Sequence, residues 1–165
     1  MSDDDPRAAL ATLTARVAAL EAERAAGNLA HRYAAALDRP DPEVLARLFV
    51  ADGVLDTSRG TYRGRDEIAA FFRRAAALDD SEKRHFVCAP EVRASSAEIA
   101  ELDCYFGFTG RGENRSMLGW GTYSAACRVE SGTASFERLT IRVHVGTDLE
   151  AGWPRDVSAP IRTGG

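Results

Sequence analysis

HRYAAALDRPDPEVLARLF, residues 31–49, is the stretch from which the architecture can be read. Leu29, Tyr33 and Leu37 recur every four residues with alanines between them, the period and the composition of a helix. Pro40 and Pro42 end it, because the residue before a proline is pushed out of helical geometry. Asp41 before Pro42 reads as an N-cap followed by proline at the first helical position, with Glu43 at the positive end of a second, short helix. Val44, Leu45, Leu48 and Phe49 supply that helix with an apolar face. The first helix carries a polar pair, Tyr33 and Asp38. An acid in a last turn opposes the helix macrodipole, so Asp38 is either solvated or held for another purpose. Tyr33 lies about 140° round the helix from it at roughly 100° per residue, yet a long tyrosine and a short aspartate near a helix end can point into one cavity. The stretch is therefore read as the floor and mouth of a small-molecule pocket.

Towards the N-terminus, Leu10, Leu13, Val17 and Leu20 follow a 3-4-3 spacing on an Arg- and Glu-bearing helix, a narrow stripe of two heptads that packs on its own domain or on a partner subunit. Gly27 and Asn28 predict a bend between this helix and the next, and residues 1–6 are expected to be disordered. Towards the C-terminus, Val54 and Leu55 begin a strand, Ser58-Arg59-Gly60 turns it, and Thr61-Tyr62 starts the return. Arg65-Asp66-Glu67 opens a third helix with acids in its first turn, whose buried face is Ile68, Phe71, Phe72 and Ala75. Four long strands follow, at 84–90, 98–108, 117–130 and 135–145, joined by short Gly-containing turns that include Ser131-Gly132. Helices first and antiparallel strands last is an α+β order. One domain spans 7–147, and 148–165 reads as a tail with Trp153 docked.

The whole chain narrows the function. Its 165 residues suffice for one domain with a core, and 45% hydrophobic with 28% charged residues is ordinary for a globular protein. A net charge of −4 without a basic run argues against nucleic-acid binding. No apolar run approaches the ~20 residues that span a bilayer, and MSDDDPR lacks a secretory n-region, so a cytoplasmic protein without membrane partners is expected. Cys88, Cys104 and Cys127 are widely spaced within apolar strand patterns and read as reduced core residues. No phosphate-cradling loop, dinucleotide fingerprint or HExxH zinc motif occurs. On strand alternation, Glu101, Asp103 and Tyr105 share one face and Leu102, Cys104 and Phe106 the other. Arg142 and His144 likewise oppose Ile141, Val143 and Val145, and Trp120 and Tyr123 lie on opposite faces.

The ordered pattern RYAAALDRPD, LARLFVADGVLD, YRGRDEIAAFF and RHFV, followed by three long strands, resembles the SnoaL-like branch of the NTF2-like superfamily over residues 20–145. The resemblance implies a cone: a curved, mainly antiparallel sheet wrapped round a pocket and closed by helices. Homodimers are common among such proteins. Relatives include polyketide cyclases, ketosteroid isomerase, scytalone and bile-acid dehydratases and limonene-epoxide hydrolase, beside members that only bind. Asp38 matches the helix-end aspartate of the dehydratases, His85 their histidine in an equivalent HF segment, and Tyr33 the oxyanion-donating tyrosine of the isomerase. The isomerase's general-base aspartate and the dehydratases' strand tyrosine both fall at Thr57, with Asp56 one residue off on the opposite face. A second dehydratase histidine falls near Asp103.

The resemblance thus implies Asp38, His85 and Tyr33 as catalytic candidates, with Phe49, Thr57, Tyr62, Asp103, Tyr123 and Arg142 as substrate contacts. An Asp–His pair with a buried tyrosine suits abstraction of a proton next to a carbonyl, followed by dehydration, cyclisation or double-bond migration. That chemistry asks for no metal or organic cofactor. The expected function is a lyase or isomerase acting on a small apolar oxygenated metabolite, as in polyketide or related secondary metabolism. Two alternatives of the same fold are a non-catalytic binding or partner-subunit module and the small structural subunit of a ring-hydroxylating oxygenase.

Overall fold

A computed structural model describes residues 5–79, 81–113 and 116–149. The elements run α1 (Pro6–Asp38), α2 (Pro42–Arg47), β1 (Phe49–Thr57), β2 (Gly60–Arg63), α3 (Gly64–Leu78), β3 (Glu82–Ala94), β4 (Ile99–Arg111), β5 (Ser116–Glu130) and β6 (Thr133–Asp148). The six strands form one sheet in the order β2-β1-β6-β5-β4-β3. Every pairing is antiparallel except β1 with β6. The fold is α+β, with helices on one face of a curved sheet.

Helix α1 departs from the sequence reading. It is one helix of 33 residues, without a break at Gly27 or Asn28. Ala22, Ala25, Ala26, Leu29 and Ala30 form a buried face of small side chains there, so the helix lies close against the sheet, and this packing outweighs the ~1 kcal/mol that a mid-helix glycine costs. Its start is also ordered. Asp5 caps it by accepting from the Arg7 amide at 3.0 Å, with Pro6 in the first turn, so the expected disorder does not extend to residues 5 and 6. Helix α2 begins as read, with the Asp41 carboxylate accepting from the Glu43 and Val44 amides.

The strands are longer than the sequence suggested. β1 starts already at Phe49, and β3 passes through Pro90 to Ala94 with a register shift between Cys88 and Glu91. A proline is tolerated there because β3 is an edge strand. Cys88 is exposed rather than in the core, which holds only Cys104 and Cys127. Ser131 and Gly132 both have positive φ and form the tight two-residue hairpin between β5 and β6. β6 extends to Asp148, and the Leu149 amide still donates to Ser116 O at 2.8 Å. Residues 1–4 and the expected Trp153 contact lie outside the described residues.

Inward and outward positions alternate along β4 and β5. Leu102, Tyr123, Cys127, Phe136 and Leu139 point into the cone and meet Leu29, Tyr33, Leu45, Leu55 and Ile68. Curvature comes with glycines paired across the sheet to aromatics: Phe106 opposes Gly121 and Phe108 opposes Gly119. A Cβ on Gly121 would lie 2.0 Å from Arg142 O and 2.9 Å from the Phe106 ring. At Gly121 the register of β6 also shifts, so that Val143 faces Gly121 while Val145 faces Trp120. This bulge moves Val145 off the face that strict alternation assigned to it and onto the outer surface beside Trp120.

Candidate active site

Asp38 is the last residue of α1. Its Oδ1 accepts two hydrogen bonds from β3, from the His85 amide at 2.8 Å and from His85 Nδ1 at 2.9 Å. These donors offset the unfavourable helix-end position and answer why an acid stands there. A carboxylate only accepts, so the imidazole carries its proton on Nδ1 and leaves the Nε2 lone pair free. Side-chain exposure is 11% for His85 and 21% for Asp38. Burial holds the His85 pKa below its ordinary value, Asp38 raises it in partial compensation, and Lys83 lowers it further. The imidazole is therefore neutral near pH 7 and is a base in waiting.

Asp38 and His85 line a cavity of about 1050 Å³ between the helices and the concave sheet. Tyr33 and Tyr123 form part of its wall. Their rings meet edge to face at 5.6 Å, and Phe106 stacks on Tyr123 at 4.1 Å. Burial raises both hydroxyls well above the ordinary tyrosine pKa, Tyr123 further through Tyr33, Cys104 and Asp38. Both therefore stay protonated donors. Phe108 faces the His85 ring at 6.0 Å, and Leu37, Phe72, Ile141 and Val143 add apolar wall. Arg59 and the Lys83–Asp79 ion pair (3.0 Å) bring charge to the lining.

Five expected contacts lie elsewhere. Phe49 is fully buried beneath the cavity, packed on Phe136 at 5.2 Å, and its carbonyl accepts two bonds from Arg65 at the start of α3. Thr57 holds the β1–β2 turn, its Oγ1 donating to Gly60 O and accepting from the Arg59 amide. The Tyr62 ring packs against Phe71 at 4.5 Å and its hydroxyl donates to Arg59 O, so it backs the wall without lining it. Asp103 and Arg142 belong to the outer face, where they pair with Arg93 (3.4 Å) and Asp56 (2.9 Å). Water competes for charged side chains on that face, whereas the concave face is apolar. The sequence did not single out Phe106, Phe108, Lys83 or Val143 as pocket residues. The inward phase of Cys104 and Phe106 was the available signal, extended by two residues to Phe108. Among the described residues, no three His, Cys, Asp or Glu side chains group as a metal site, and no helix is long and apolar enough to cross a membrane.

Comparison with known proteins agrees with this architecture. A hexachlorocyclohexane dehydrochlorinase, LinA type 2, superposes with a TM-score of 0.74 at 17% identity, over 85% of this chain and 97% of that one. A protein provisionally assigned as a scytalone dehydratase from Novosphingobium aromaticivorans gives 0.68 at 21% identity, over 83% and 93%. A cystatin-like-fold protein of unknown function from Nostoc punctiforme gives 0.64 at 22% identity, over 72% and 88%. No curated protein sequence matches the chain at a significant level. The SnoaL-like domain profile matches residues 18–140, the span that contains α1 from its buried half onwards, the Asp38–His85 pair, strands β1 to β5 and the first half of β6: the chain belongs to the SnoaL-like domain family, on the NTF2-like fold.

Proposed function

We propose that this protein is a lyase or isomerase that uses His85 as general base, Asp38 as its orienting partner and Tyr33 and Tyr123 as hydrogen-bond donors. Its substrate is a small, largely apolar or aromatic oxygenated molecule. The observation that carries this reading is the doubly bonded Asp38 carboxylate fixing a mostly buried imidazole at an apolar cavity. For a β-hydroxy ketone, Nε2 of His85 removes the proton between the carbonyl and the carbinol carbon. The C–H electrons pass into the enolate, whose oxygen accepts a hydrogen bond from a tyrosine hydroxyl. Collapse of the enolate forms the C=C bond and expels hydroxide, which takes the proton back from His85 and leaves as water. Asp38 supports the imidazolium between the two steps. The acid–base groups suffice, so no cofactor enters. Loss of a small molecule by elimination is what the names of the dehydrochlorinase and dehydratase neighbours denote for those proteins, which supports the reading. Return of the proton to carbon rather than oxygen gives isomerisation, and attack of the enolate carbon on an internal carbonyl, whose oxygen then takes the proton from His85, gives cyclisation, so substrate shape selects the outcome.

The test is a panel of aromatic and aliphatic β-hydroxy ketones followed by ultraviolet absorbance of the conjugated product. Turnover should fall by about 10²–10⁴ in His85→Gln, as for other general bases. A His85→Gln protein at full rate on any substrate found would sink the assignment.

A further inference from the structure

The first half of α1 carries four exposed apolar side chains, Leu10 (66%), Leu13 (56%), Val17 (54%) and Leu20 (61%). The second half is anchored to its own domain through Ala22, Ala26, Leu29 and Tyr33. At roughly 100° per residue, the two sets point about 170° apart round the helix axis. Because α1 is continuous, its own domain lies on the side opposite the stripe and cannot cover it. Among the described residues, none covers the stripe.

We propose that residues 10–20 of α1 pair with the same residues of a second copy as a short parallel two-stranded coiled coil. With Leu10 and Val17 at a, Leu13 and Leu20 fall at d, and a β-branched residue at a with leucine at d favours a parallel dimer. Arg16 then occupies a g position and Glu21 the following e position, so each Arg16 faces Glu21 of the other copy. Both side chains belong to exposed residues. The antiparallel alternative would set Arg16 against Arg16. The pairing stops after Leu20, because Arg24 takes the next a position and Gly27 the next d. There the helices diverge, and the two domains, each on the far side of its helix, do not collide. Two heptads alone are too short for a stable isolated helix pair. Here, however, each helix is already nucleated by its anchored half, which removes most of the cost of ordering.

The experiment is sedimentation equilibrium of the full chain over a wide concentration range. The wild type is expected to form a dimer that is lost in Leu13→Lys/Leu20→Lys and kept in Trp120→Glu. Trp120 is the control because it is a half-exposed aromatic on the outer sheet face, the other apolar surface on which copies would meet. The lysines replace exposed side chains, so the variant should stay folded, with the circular dichroism spectrum of the wild-type domain. Leu10→Cys in a Cys88→Ser background should form a disulfide-linked dimer on oxidation, since a parallel pair places position 10 against position 10. A monomer at all concentrations, a dimer that survives the double lysine variant, or one lost only with Trp120→Glu overturns the proposal. A dimer without the position-10 crosslink overturns its parallel arrangement.

Discussion

Replacing Asp38 by Asn separates the charge of the pair from its shape. The amide oxygen can still accept from the His85 amide and from Nδ1, but the negative charge 2.9 Å from the imidazole is gone. In the wild type, burial lowers the His85 pKa and Asp38 opposes that effect. Removing the opposing cause must lower it further. A close opposite charge favours the charged imidazolium, so the expected result is a midpoint that moves down when that charge is removed. The measurement is an NMR pH titration of the His85 ring, assigned with His85→Gln, in the wild type and in Asp38→Asn. Because the folded pKa lies below the unfolded one, the neutral ring is the form that folding favours. Its contribution to stability is complete above the unfolded value near ~6.5 and is lost as pH falls through the folded value. In Asp38→Asn that loss should extend to lower pH. Two charge-assisted bonds also become neutral ones, so unfolding at pH 7 should be easier by about 1–3 kcal/mol. A His85 midpoint that stays put or rises in Asp38→Asn would refute the coupling, and the acid–base mechanism with it.

Other outcomes follow from the same geometry. Tyr123→Phe should leave the fold intact, because the ring stacking is kept, and lower kcat more than it raises KM, by about 10²–10³ if that hydroxyl is the principal enolate donor; steady-state kinetics decides. Asp103→Asn and Arg142→Met act on exposed pairs of the outer face, so urea denaturation should show changes within about 1 kcal/mol and turnover should be unaffected. Gly121→Ala drives a methyl group into the Arg142 carbonyl and the Phe106 ring, and should cost about 3 kcal/mol or more in the same denaturation assay.

The fold was legible because its signals are local. Helix period, proline punctuation and long strands at Gly-containing turns each depend on a few neighbouring residues, and their order matched a known family. Asp38 was legible as an anomaly, an acid at the wrong end of a helix, before its partner was known. Phe49 reads in the sequence as part of an apolar helix face and, through the resemblance, as a substrate contact, yet it begins β1 and packs on Phe136 beneath the cavity. Thr57 and Tyr62 lie close in sequence to the pocket-lining Ser58 and Arg59, and the turn absorbs their polar atoms. Asp103 is ruled out by the alternation that placed Leu102 and Phe106 inside, a signal the family alignment at that position overrode. The continuous α1 was hidden because glycine propensity is weak against the tertiary packing of an alanine face.

The sequence alone determined the element order, the caps at Asp41 and Pro42, the Ser131-Gly132 hairpin and the alternation that divides β4 into two faces, since each is set by backbone preferences over a few residues. Only the tertiary structure decided that Asp38 and His85, 47 residues apart, share two hydrogen bonds. It also decided which strand face is concave, and that the α1 stripe points away from its own domain. Those are properties of distant segments brought together, and they rest on sheet curvature, on a bulge at Gly121 and on the phase of one long helix, none of which a local pattern encodes.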